Sequence, residues 1–165
     1  MTWNTPPLNP SDLVLIVLIV GAVYVDVRES RIPNKLTFPC MAAGALLSVF
    51  WAPHWYDPGM GFVVAAVASI AFWRLIPNSL MAGDVKMLMA AGTVLGPEAA
   101  LRAVLFSVLL TPITGIPYLI WKGRFGRRML DVVKNKAEAT RMPHGPVVAV
   151  AIVLARLQAW PDLWK

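Results

Sequence analysis

The sequence predicts an all-α, polytopic membrane protein with about six transmembrane helices and both termini outside. Three observations predict it. Hydrophobic residues make up 58% of the 165 residues and charged residues only 15%, with a mean hydropathy of +0.63. A soluble domain carries about 25% charged residues, so this chain has too little polar surface for a water-soluble particle of its size. The apolar residues also gather in six runs separated by charges and turn residues, and the cations and tryptophans collect at the ends of those runs. The length fits one membrane-embedded domain spanning residues 1–165. The composition argues against a soluble enzyme, a disordered region and a disulfide scaffold. Cys40 is the single cysteine, so no intrachain disulfide forms. His54 and His144 are the two histidines, which excludes a histidine-rich metal site. No cofactor and no metal are expected.

The first segment runs from about Ser11 to Val27, with Asn9, Pro10, Ser11 and Asp12 as start signals. The opening MTWNTPPLNPSD lacks the basic start of a secretory signal, so this segment reads as one retained in the membrane. The second covers about Leu36–Trp51, the third Gly59–Ile76, the fourth Gly83–Leu95, the fifth Glu98–Trp121 and the sixth Gly145–Trp160. A spanning helix needs about 20 residues. Leu13–Val25 and Met87–Pro97 offer 13 and 11 uncharged residues. The first and fourth segments therefore reach spanning length only by absorbing Asp26 and Asp84. The fifth contains Pro112, Gly115 and Pro117, where a kink or break is expected.

Charge sets the expected orientation. If the first segment ends in the cytoplasm, the connections at 27–35, 74–86 and 122–142 together hold twelve of the 15 Lys and Arg residues. The positive-inside rule then places these connections in the cytoplasm and both termini outside. Trp3, Trp51, Trp55, Trp73, Trp121, Trp160 and Trp164 fall at or near segment ends, as an interfacial aromatic belt requires. The net charge of +6 thus reads as topology and calls for no nucleic-acid partner. The loop at 122–142 is basic and partly amphipathic. An interfacial helix on anionic lipid and a solvated topology-setting loop are both open for it.

Asp26 and Asp84 occupy equivalent places. Each ends an apolar segment on the predicted cytoplasmic side, and each is followed two residues later by a cation, Arg28 or Lys86. An ionisable group at membrane depth is costly and marks a functional site by default. Two carboxyls sharing a site divide one proton, so that one donates a hydrogen bond to a carbonyl while the other activates water. The alternative is structural, each aspartate pairing with its neighbouring cation or capping a helix. Spacing leaves both readings open.

The stretch DVRESRIPNKLT at residues 26–37 resembles the first aspartate motif of bacterial type IV prepilin peptidases. MAGDVKML at 81–88 resembles their second, GxGD followed by Val-Lys, and MPHGP at 142–146 is similar to the P-x-G-P segment that opens the last helix of that family. The resemblance extends from Gly21 to Leu154. It implies an intramembrane aspartyl endopeptidase that removes the basic leader of prepilins at the cytoplasmic face of the bacterial inner membrane. Asp26 and Asp84 match the catalytic pair. Gly83, Lys86, Arg28, Pro33, Asn34, Pro143, Gly145 and Pro146 match residues expected to shape the site or contact substrate. The implied partners are the prepilin, membrane lipids and proteins of the pilus assembly.

Met81 departs from the pattern, standing where GxGD has its first glycine. The chain also lacks the N-terminal cytoplasmic domain with cysteine pairs of larger members, and it has no glycine-rich nucleotide loop, so N-methylation is not expected. Its size resembles the compact branch serving Flp/tight-adherence pili. Lys86 and Arg28 read first as interfacial anchors and second as tuners of the dyad. His144 reads as a polar helix-entry residue, and Arg156 in the last segment is left without a role. The rival functions are a non-catalytic membrane subunit of a pilus or secretion assembly and a proton-coupled transporter. No inverted repeat favours the transporter.

Overall fold

A computed structural model describes residues 9–29, 31–75, 80–121 and 144–157. The loop at 122–142, Pro143, Trp3, Trp160 and Trp164 lie outside the described residues, and so do the expectations attached to them. The described residues form five helices: α1 (Pro10–Glu29), α2 (Asn34–Trp51), α3 (Asp57–Leu75), α4 (Ala82–Trp121) and α5 (Gly145–Leu157). Among the described residues there is no strand. Among the described residues, three helical stretches are long and apolar enough to cross a membrane, Pro10–Glu29, Asp57–Leu75 and Ala82–Gly115, and Gly145–Leu157 is a shorter apolar helix.

The expected fourth and fifth segments are one element broken at Gly96, whose φ of 75° and ψ of 175° are open essentially to glycine alone. Pro97 then restarts the helix where a missing N–H costs nothing. At Pro112, Gly115 and Pro117, where a kink or break is expected, the helix does not break and continues to Trp121. Thr111 and Thr114 fold their hydroxyls back onto the carbonyls of Ser107 and Leu110, at 2.7 and 2.9 Å. These are not the carbonyls that the prolines release, which belong to Val108 and Ile113, four residues before each proline.

The first arm of α4 is the centre of the bundle. Met87, Leu88, Ala90 and Ala91 are at most 1% exposed, and α1, α2, α3 and α5 all pack on α4. The outer helices each bury one stripe. In α3 that stripe is Pro58, Gly61, the adjacent Ala65 and Ala66, and Ser69, recurring every three to four residues and built almost entirely of small side chains. Lipid tails are as apolar as leucine, so helices in a membrane associate through close backbone approach more than through apolar burial. A Cβ on Gly61 would collide with the Gly92 carbonyl oxygen, and one on Gly44 of α2 would lie 2.5 Å from the Thr93 hydroxyl. The outward faces are apolar, with Leu13, Ile16, Val17 and Val20 of α1 all more than half exposed.

Gly61→Ala and Gly92→Ala should each destabilise the protein by about 1–3 kcal/mol through overpacking. Gly59→Ala, with nothing within 4 Å of the added carbon, should leave the unfolding midpoint nearly unchanged. Thermal unfolding in detergent micelles compares the three.

Candidate active site

The two aspartates come together at one end of the bundle. Asp26 lies in the last turn of α1 and is 5% exposed; Asp84 is the third residue of α4 and is 3% exposed. Both line a cavity of about 640 Å³ between the start of α4 and the α1–α2 turn.

Backbone amides at two helix starts hold them. Asp26 Oδ2 accepts the N–H of Gly145, the first residue of α5, at 2.7 Å in a buried hydrogen bond. That amide is one of four at a helix start with no partner in their own helix, and the helix dipole favours negative charge beside it. The approach needs glycine, because a Cβ on Gly145 would lie 2.9 Å from both Cβ and Oδ2 of Asp26. Asp84 Oδ2 accepts the N–H of Met81 at 2.9 Å. This is the backward arm of a capping box, in which the third helical side chain satisfies the amide preceding the helix. The capping alternative for Asp84 therefore holds, and it coexists with a place in the cavity wall.

The flanking cations do not pair with the aspartates. Arg28 stacks over the Tyr24 ring, with its guanidinium carbon 4.3 Å from the ring centroid. Lys86 Nζ donates to Asn34 Oδ1 at 2.8 Å, tying the second turn of α4 to the first residue of α2. Among the described residues, neither Asp26 nor Asp84 forms an ion pair.

The remaining motif residues shape the turn. Pro33 caps α2 in extended conformation (φ −75°, ψ 141°), and its carbonyl accepts the Leu36 amide at 3.1 Å. Gly83 lets α4 start against this turn, since a Cβ there would lie 3.3 Å from Cβ of the buried Ile32. Pro146 is the half-buried second residue of α5, where no intrahelical amide bond is lost. Met81 is half-buried in the cavity wall, and His144 is buried at the entry to α5, where its carbonyl accepts the amides of Val147 and Val148.

Some features were not legible in the motifs. Ile32 gives Gly83 its packing partner, and Glu29, Arg31 and Lys35 bring further charge to the cavity wall. Arg156 acquires a partner, because its Nε and Nη2 donate to Asp12 Oδ1 and Oδ2 at 2.9 and 2.8 Å. An acid and a cation inside two apolar segments were the available signal, since such groups pair with one another at membrane depth.

Apolar helices around two buried carboxylates define a helical integral membrane protein with a polar site at one end. Residues 13–120 match the type IV leader peptidase family, and the chain belongs to that family. It is similar to the prepilin leader peptidase/N-methyltransferase of Aeromonas salmonicida (strain A449), with 26% identity over 159 residues, covering 91% of this chain and 49% of that protein. The protein of the same description from Xanthomonas campestris pv. campestris is 28% identical over 148 residues, covering 84% and 46%. That of Aeromonas hydrophila is 24% identical over 158 residues, covering 91% and 49%. The chain thus spans about half the length of the curated relatives it matches. No solved structure matches it.

Gly145→Ala should destabilise the protein more than Gly83→Ala, because its added carbon meets Asp26 at 2.9 Å whereas that on Gly83 meets Ile32 at 3.3 Å. Gly145→Val should go further, to about 1–3 kcal/mol or more. Denaturant or thermal unfolding of the three variants tests the order.

Proposed function

We propose that this chain is a membrane-embedded aspartyl endopeptidase that removes the N-terminal leader of type IV prepilins. The observation that carries the reading is the pair of buried carboxylates in one cavity wall, in a member of the type IV leader peptidase family.

With Oδ2 of each aspartate held by a backbone amide, Oδ1 is the oxygen available to water and substrate. One carboxylate takes a proton from water as the water oxygen bonds to the scissile carbonyl carbon. The other, protonated, hydrogen-bonds the carbonyl oxygen and then gives its proton to the departing amine as the C–N bond breaks. No metal or cofactor enters these steps. The substrate's peptide bond must leave its helix to reach the cavity, because helical carbonyls are shielded by their own hydrogen bonds. Lys86, Asn34 and Pro33 hold the mouth of the cavity, while Gly83, Gly145 and Pro146 set how closely α4 and α5 approach it. A role for Pro143 and Arg28 at the substrate boundary rests on the resemblance of their motifs alone.

The chain is proposed to cross the bacterial inner membrane six times, with both termini outside and the aspartate end at the cytoplasmic face. Arg28, Arg31, Lys35, Arg74 and Lys86 at that end support this orientation. The exposed apolar faces of α1 and α2 support contact with lipid. A preference for Flp-type prepilins, delivered by a pilus assembly, rests on the resemblance to the compact branch alone. One cysteine and no glycine-rich nucleotide loop favour leader removal without N-methylation by these residues.

A second reading has an observation in its favour. Both aspartates bond helix-start amides, as they would in a non-catalytic subunit of a pilus or secretion assembly. Asn keeps an acceptor oxygen for those amides but cannot shuttle the proton. Asp26→Asn and Asp84→Asn should therefore stay folded and lose at least about a hundredfold in leader removal, read as the gel shift of a co-expressed prepilin. Normal processing by either folded variant, with no other peptidase present, would sink the peptidase reading and leave the scaffold.

A further inference from the structure

We infer that Asp12 and Arg156 are positioning residues for Asp26, acting from the opposite end of the bundle by fixing the register of α1 against α5. The inference rests on the reading of Asp26 as catalytic. Its observation is separate: two polar pins join the same two helices, one at each end. At the site end Asp26 Oδ2 accepts the Gly145 amide; at the far end the Arg156 guanidinium grips both oxygens of Asp12.

The buried stripe of α1 is Ser11, Asp12, Leu15, Leu18, Ala22 and Asp26. Its three apolar members, Leu15, Leu18 and Ala22, share one core cluster with Val148, Ala149, Ile152 and Ala155 of α5, and the two helices pack together. Such a seam in lipid resists sliding poorly, because a small axial or rotational shift exchanges one aliphatic contact for another. Directional bonds supply the missing register. The fork between a guanidinium and a carboxylate fixes distance and orientation together, which a point charge does not. Asp12 is itself anchored, since Oδ2 also accepts the Asn9 amide at 2.8 Å. The pair is largely withdrawn from solvent, at 9% and 21% side-chain exposure for Asp12 and Arg156, where such bonds are screened little.

The lever is long. Fourteen residues separate Asp12 from Asp26, a rise of about 21 Å, and eleven separate Gly145 from Arg156, about 17 Å. The arginine side chain spans the difference. Releasing the far pin frees α1 to slide or rotate, and the Asp26 carboxylate moves relative to the Gly145 amide and to Asp84. Misplacement of a catalytic group by about 1 Å costs as much as a hundredfold in rate.

The test uses the full chain in lipid vesicles with a prepilin substrate, and compares Asp12→Asn, Arg156→Met, Arg156→Lys and the double variant Asp12→Asn/Arg156→Met. Asn at position 12 keeps an acceptor for the Asn9 amide, so that helix start is spared. Spin labels at Val20 and Val150, both exposed, report the α1–α5 separation in a Cys40→Ala background. Each of the first two variants should lower kcat about tenfold to a hundredfold, leave KM within about twofold and change the label distance. The double variant should be no worse than the worse single, and Arg156→Lys should recover part of both readouts. The inference is overturned if kcat holds while Asp26→Asn is inactive, or if kcat per folded molecule falls with the label distance unchanged. If Asp26→Asn still cleaves, the catalytic reading fails on its own. The label distance then decides the register, a shift upholding the pins and no shift overturning them.

Discussion

A carboxylate buried at membrane depth has to be met by hydrogen-bond donors, and Asp26 finds its donor in the backbone of a helix more than a hundred residues away. Much of the site depends on that bond. It requires α5 to begin at Asp26, with glycine as its first residue and a proline tolerated as its second. It brings the last turn of α1 under the start of α5, so that α1, α4 and α5 converge at one level. Asp84 solves the same problem locally by closing back on Met81. Two carboxylates that would each be intolerable alone in an apolar bundle are thus both satisfied, by amides that their helices leave unpaired.

The convergence is possible because the helices approach closely. Gly61 and Gly92 bring α3 onto α4, Gly44 brings α2 onto Thr93, and Gly83 seats α4 on Ile32. These contacts confine the first arm of α4 on all sides. The lysine and arginine beside the aspartates are engaged elsewhere, with Asn34 and Tyr24. The carboxylates are therefore not neutralised by their neighbours, as the cation-pairing alternative would have it. For a pair proposed to trade one proton this matters, because a salt bridge would hold one member charged.

The helical class, the places of the segments and the two aspartates were legible in the sequence because hydropathy and charge are local properties. Boundaries came within two residues for α1, α2 and α3, where proline, asparagine or aspartate punctuates the chain. Of the kink or break expected at Pro112, Gly115 and Pro117, no break occurs. Local propensity reads proline as a breaker, but in an apolar helix the backbone has no solvent to turn to. Gly96, with its positive φ, breaks α4 instead. Arg156 stayed without a role for a different reason: its partner Asp12 lies 144 positions away, and an acid and a cation in two apolar segments signal only that each needs a partner, without fixing which.

The sequence by itself determined that apolar helices would form, where they would start, and that two acids would have to be absorbed into them, since these follow from the cost of placing charge and unpaired backbone in lipid. Only the tertiary structure decided how those acids are held. The Gly145 amide, the Met81 amide and the Asp12–Arg156 fork are choices among donors brought near by packing. The physical reason is directionality. Apolar burial fixes which face of a helix turns inward, whereas a hydrogen bond fixes its depth and rotation, and its partner exists only once the helices have met.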